Sequence, residues 1–203
     1  MVPADEALER LLEGNRRFVA GVRDEAASLT RRADLVAGQE PFAIILGCSD
    51  SRVPAEFVFD QGLGDLFVIR VAGNIVAPSQ IGSVEFAAEQ FHTRLVVILG
   101  HSQCGAVTAT IEELRSPSDS AHSRNLRSIV GRIQPAVQGL LAELAGDEHA
   151  LLREACRANV RASANQLRHG SEIIEKLCAE DGLLIVGAEY SLETGVVDVF
   201  EKP

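Results

Sequence analysis

The stretch FAIILGC, residues 42–48, is a continuous apolar run with Pro41 on one side and the polar cluster SDSR (49–52) on the other. Apolar residues without alternation mark a strand buried on both faces, as happens when helices cover a parallel sheet above and below. The pattern recurs in DLFVIRV (65–71), LVVILGH (95–101), GLLIVGAEY (182–190) and VVDVF (196–200), the last after a turn at Glu193-Thr194-Gly195. Helical patterns lie between these runs. Leu8, Leu11, Leu12, Phe18 and Val19 recur at helical spacing and predict a helix over 4–20. Further helices are predicted over 80–91 and 104–115, a breaker-rich loop over 116–123, and two or three helices over 124–180 with an interruption near Gly146-Asp147. Strands alternating with helices imply an α/β fold around a mostly parallel sheet. Residues 1–203 read as a single domain, with 1–40 forming an N-terminal helical arm and connector that needs a surface to pack on, such as a neighbouring subunit.

The composition narrows the function. With 203 residues and 46% apolar content, the chain suffices for one substantial core and is short for two. Aromatic residues make up only 4%, with no Trp, so Ile, Leu, Val and Ala do the packing. The net charge of −10, from 19 basic and 29 acidic residues, argues against a grip on nucleic acid or anionic lipid, but leaves small anions open because a site can be positive on an acidic protein. No apolar run approaches the roughly 20 residues of a membrane span, and the acidic, amphipathic start MVPADEALERLLEGN does not read as a secretory leader, so a cytoplasmic location is expected. Cys48, Cys104, Cys156 and Cys178 form no CxxC pair and read as free thiols or metal ligands.

In open α/β sheets, sites form beyond the carboxyl ends of the strands. Cys48 ends the first apolar run and His101 the third, so both point to one edge. Cys48 and Asp50 are two apart and face one side if the backbone is extended. His101 and Cys104 are three apart across the turn GHSQCG (100–105), a chelating spacing for one ion. Two thiolates and an imidazole suit Zn²⁺, which takes four tetrahedral ligands. Cys104 also sits where a helix begins, which favours the thiolate. The fourth position decides the chemistry. With Asp50 on the metal the site is closed; with Asp50 held away by Arg52 a water can bind, and zinc lowers its pKa from ~16 toward ~7.

Plainer readings compete. A Cys after an apolar run is usually a small buried residue, an HxxC spacing recurs by chance, and a Cys₂HisAsp zinc can be purely structural. A serine hydrolase using Ser49 or Ser51 lacks a G-x-S-x-G. Redox sensing by Cys48 or Cys104 needs both thiols free of metal. Cys156 and Cys178 read as core residues, and Val160, Ala164 and Leu167 as a packing face.

CSDSR (48–52) followed by HSQCG (101–105) resembles the paired signatures of the β-class carbonic anhydrases. LLEGNRRFVAG (11–21), FDQGLGDLFVIRVAGN (59–74) and GSVEFA (82–87) look like its bacterial members, and GAEYSLETG (187–195) resembles the family's last strand pair. The resemblance implies about four parallel strands plus one antiparallel edge strand, and reversible hydration of CO₂ to bicarbonate and a proton through a zinc-bound hydroxide. It implies zinc ligation by Cys48, His101 and Cys104, and a gate in which Asp50 either ligates zinc or pairs with Arg52. Gln39 matches a glutamine that positions substrate across a dimer interface, and Gly105 a backbone N–H near the metal. A homodimer or homotetramer is implied, with the N-terminal helix clasping the neighbour. A relative that hydrolyses CS₂ or COS would use the same ligands. His101 is spent as a ligand, so proton transfer falls to buffer, with His92, His122, His149 and His169 read as surface residues. Some bacterial members carry a second bicarbonate site of Trp, Arg and Tyr. Arg70 and Tyr190 match two of these, but the Trp position is Ile45, which has no indole, and the other two then read as structural.

Overall fold

The five apolar runs form one sheet in a computed structural model that describes residues 1–24, 32–116 and 123–203. The strands are β1 (Ala43–Gly47), β2 (Leu66–Arg70), β3 (Leu95–His101), β4 (Leu184–Tyr190) and β5 (Val197–Glu201), in the order β2-β1-β3-β4-β5. The first four run parallel, and β5 is antiparallel to β4 at the edge. The helices are α1 (Ala4–Val19), α2 (Ala55–Val58), α3 (Pro78–Gln90), α4 (Gly105–Arg115), α5 (Arg124–Val137), α6 (Leu140–Glu143), α7 (Glu148–Arg168) and α8 (Glu172–Glu180). None of the described helices is long and apolar enough to cross a membrane.

Every residue of β1 and β3 is buried, as their uninterrupted apolar runs require. Alternation divides the side chains between two faces. Ile45, Val97, Leu99 and Val186 meet Leu8 and Leu11 of α1 and Val58 of α2. Ile44, Leu46, Val96 and Ile98 meet Val84 and Ala87 of α3 and Val160, Ala164 and Leu167 of α7. A third cluster caps the carboxyl ends of the strands, where Cys48, Ile75, Cys104 and Val107 pack on Ile133, Leu151, Ala155 and Cys156. From β1 the chain crosses to β2 on one side and then to β3 on the other, which opens a crevice at the carboxyl ends of β1 and β3.

Several expectations change in detail. Residues 124–180 hold four helices rather than two or three; the break at Gly146-Asp147 is present, with Gly146 at φ 99 and the Asp147 carboxylate accepting the Ala150 N–H at 2.9 Å, but a second break follows α5 at Gln138-Gly139. The one-turn helix α2 was not expected. Cys48 lies one residue beyond β1 rather than in it. Part of α1 packs on its own sheet: Leu8 and Leu11 are buried there, and the Asn15 side chain donates to the Val58 and Gly195 carbonyls and accepts the Val197 N–H at 2.9–3.0 Å. Residues 117–122 of the expected loop, including His122, lie outside the described residues.

Candidate metal centre

The register between β1 and β3 pairs Gly47 with Leu99, so the chain emerging at Cys48 lies beside the last residues of β3, just before His101. The Cys48–Arg52 loop is fixed through its main chain. Arg70, at the end of β2, donates Nε–H to the Cys48 carbonyl at 2.9 Å and Nη2–H to the Asp50 carbonyl at 2.5 Å. His101 closes β3 and is fully buried. Its Nδ1 lies 2.9 Å from the Ser102 carbonyl, which assigns the proton to Nδ1 and leaves Nε2 as an acceptor. Nε2 is buried and has no hydrogen-bond partner. Cys104 is the N-cap of α4. The donor atoms of Cys48, His101 and Cys104 all lie within 4.8 Å of one another, and all three residues are buried.

Electrostatics set these sulfurs apart from ordinary core thiols. Hydrogen bonding from the Cys104 thiol, helped by the Gly73 N–H at 3.3 Å, holds Cys48 down at about 4. The same contact with Cys48, together with burial, pushes the Cys104 thiol far up. Two thiolates cannot sit side by side in a dry pocket without a cation, so without one the pair keeps a single shared proton. Cys156, by contrast, is raised to about 11 chiefly by burial. A buried imidazole nitrogen with no partner, facing two sulfurs that compete for one proton, fits a divalent cation of zinc's softness.

Asp50 stands beside this cluster rather than within it. Arg52 grips its carboxylate at both oxygens, Nε to Oδ1 at 2.9 Å and Nη2 to Oδ2 at 2.8 Å, and the Arg52 N–H adds a bond at 3.0 Å. These contacts hold the Asp50 carboxyl well below the usual carboxylate range. Its Oδ2 is 3.9 Å from His101 Nε2, so the carboxylate borders the space that the three donors enclose. Gly105 opens α4, and a side chain there would meet nothing within 4 Å. Gln39 is exposed on the segment leading into β1. His92, His149 and His169 are exposed. Ile45 is fully buried, Arg70 is engaged on the two loop carbonyls, and Tyr190 is buried with its ring 6.3 Å from that of Phe18. A cavity of about 640 Å³ lies at the opposite end of the strands, lined by Arg168, His169 and Leu183–Ile185, well away from the donors.

The sequence reading missed part of the surroundings. Cys156, Asn159 and Ser163 interrupt the apolar face of α7 at helical spacing and are buried at 3%, 2% and 4% exposure. That interruption was the available signal, since buried polar groups need partners.

The sequence profile of the carbonic anhydrase family matches residues 43–197, most of the chain. The chain belongs to the β-class carbonic anhydrases. Carbonic anhydrase 2 of Mycobacterium tuberculosis is 40% identical over 192 residues, covering 93% of this chain and 89% of that one. A carbonic anhydrase of Mycolicibacterium smegmatis is 40% identical over 194 residues, covering 95% and 91%. Tetrameric β-carbonic anhydrases of the fungus Sordaria macrospora share the fold, with a TM-score of 0.75 at 24% identity over 95% of this chain and 96% of that one. Membership carries the enzyme class with it, a carbonic anhydrase among the lyases. Zinc is the cofactor of the β class, and the Cys, His, Cys donor set suits it.

Proposed function

We propose that the chain catalyses the reversible hydration of CO₂ to bicarbonate and a proton at a zinc ion held by Cys48, His101 and Cys104. The observation that carries this reading is the buried, unpartnered His101 Nε2 grouped with the two sulfurs within 4.8 Å. When bound, zinc supplies a Lewis acid that lowers the pKa of a coordinated water from about 16 toward about 7.

The protein's own groups do the rest. Asp50 stays ionised and accepts a hydrogen bond from the nucleophile's O–H, which aims the oxygen lone pair at the CO₂ carbon. Arg52 holds the Asp50 carboxylate on its guanidinium, which would leave a fourth metal position to solvent; release of Asp50 from Arg52 would let it close that position. The Gly105 N–H, in the first turn of α4 where no intrahelical acceptor exists, donates to a substrate oxygen. Gln39, exposed on a single chain, contributes from across a subunit interface in a homodimer or homotetramer, in keeping with the tetrameric assembly described for the Sordaria proteins. The proton leaves to buffer: His101 would be occupied as a ligand, and none of His92, His149 and His169 is grouped with the donor atoms. The four free cysteines suit a reducing cytoplasm.

The test pairs metal analysis with stopped-flow CO₂ hydration. Asp50→Ala and Arg52→Ala are each expected to lower turnover by about 10²–10⁴ while zinc stays bound. Unchanged hydration in both would remove the Asp50 gate. A zinc-loaded wild type inert toward CO₂ but active on CS₂ or COS would reassign the substrate, and one inert toward all three would leave a structural zinc module.

A further inference from the structure

The inner boundary of the metal centre is built by α7, far along the chain. Gly73 lies in the tight turn Ala72–Asn74 with φ 71 and ψ 20, a left-handed conformation that glycine adopts without penalty. Its N–H donates to Cys48 Sγ at 3.3 Å, and its carbonyl accepts from Asn159 Nδ2 at 2.8 Å. One residue thus joins a metal-facing sulfur to a buried side-chain amide. The turn packs closely on its neighbours, since a Cβ on Gly73 would lie 2.8 Å from Ile133 Cδ1 and 3.1 Å from Ala106 Cβ. Helix α7 comes this close because Gly100 has no side chain: a Cβ there would lie 2.3 Å from Val160 Cγ2.

The buried surface of α7 is divided by its period. Val160, Ala164 and Leu167 pack on the sheet. The neighbouring strip is polar. Ser163 donates to the Asn74 carbonyl at 3.0 Å, and the Cys104 N–H acts on the Cys156 thiol. Of this strip, Asn159 alone reaches a residue whose own N–H is on a donor sulfur.

We propose that Asn159 is a positioning residue of the metal centre, which fixes Gly73 so that its main-chain N–H is aimed at the Cys48 sulfur. The inference rests on the metal reading above. An N–H on a ligating sulfur draws charge from it and holds it in one orientation, and loss of such outer partners typically costs 10–100-fold in metal affinity. A purely structural Asn159 would satisfy the buried Gly73 carbonyl and leave the sulfur unaffected.

Wild type loaded with cadmium-113 should show scalar coupling between the Gly73 amide proton and the metal, transmitted through the N–H···S bond. Its absence in a loaded protein overturns the proposal whatever the variants do. Asn159→Leu keeps the size and removes the donor; Asn159→Asp keeps the shape and, when ionised, removes it too. In the cobalt-substituted protein each should release metal to a chelator about 10–100-fold faster and shift the sulfur-to-cobalt charge-transfer band. Ser163→Ala should lower the melting temperature and leave band and release rate at wild-type values. Wild-type band and release rate in folded Asn159 variants would make the residue structural only. A wild type that takes up neither cobalt nor cadmium would overturn the metal reading itself, an outcome distinct from failure of the Asn159 proposal.

Discussion

Two buried side chains at opposite ends of β3, Arg94 and His101, meet their surroundings in opposite ways. Where β3 begins, Arg94 is 5% exposed, and its guanidinium donates to the Asp181 carbonyl at 3.0 Å, the Ala88 carbonyl at 2.8 Å, the Thr93 carbonyl at 3.3 Å and the Asp181 carboxylate. Where β3 ends, His101 is fully buried, yet its Nε2 has no partner and two sulfurs close by contend for one proton. A folded chain rarely leaves a buried polar atom unmatched. The satisfied Arg94 reads as structure, and the unsatisfied His101, grouped with two sulfurs, as a place reserved for something from outside.

The largest effect comes from removing a donor at the unsatisfied end. Cys104→Ser replaces a soft ligand with a hydroxyl, and purified protein should carry little zinc and hydrate CO₂ at the uncatalysed rate. Full zinc occupancy in that variant, measured by elemental analysis, would break the contrast. At the satisfied end the outcome should invert. Arg94→Leu strands the buried Ala88 and Thr93 carbonyls, so it should cost about 1–3 kcal/mol for each left unpaired. A urea titration would show the lowered midpoint, while zinc content and turnover of the folded enzyme stay at wild-type values.

The smallest effect is a count of protons. Cys48, held down at about 4, is already a thiolate at pH 7, while Cys104, pushed up, is still a thiol. Zinc binding at pH 7 should then displace about one proton, against about two from thiols of ordinary pKa near 8.5. Calorimetry in two buffers of different ionisation enthalpy gives the number. The same shifts fix how metal-free stability varies with pH. Between about 4 and about 8.5 the unfolded chain holds one proton more than the folded pair, so stability rises with pH. Above that range the unfolded thiols are both ionised while Cys104 still holds its proton, so stability falls.

Much of this was legible in the residues. β1 and β3 are buried on both faces and carry no polar side to confuse the reading. Cys48, Asp50, His101 and Cys104 stand just past or at strand ends, where a parallel sheet gathers residues distant in the chain. The edge strand β2 also read as an apolar run, although its burial is mixed and Arg70 is exposed, because neither face nor edge is encoded in apolar content alone. Asn159 and Ser163 were harder. Their partners are main-chain carbonyls 86 and 89 residues away, and a carbonyl leaves no trace in residue identity. The same holds for Arg70, whose two acceptors are the backbone of the loop it braces.

The hydrogen bond from Asn159 back to Gly73 has a consequence for the order of assembly. Translation completes the three donors at Cys104, when α7 does not yet exist. On the proposal above, a nascent chain would therefore carry all three donors before it carries the helix that sets their final orientation.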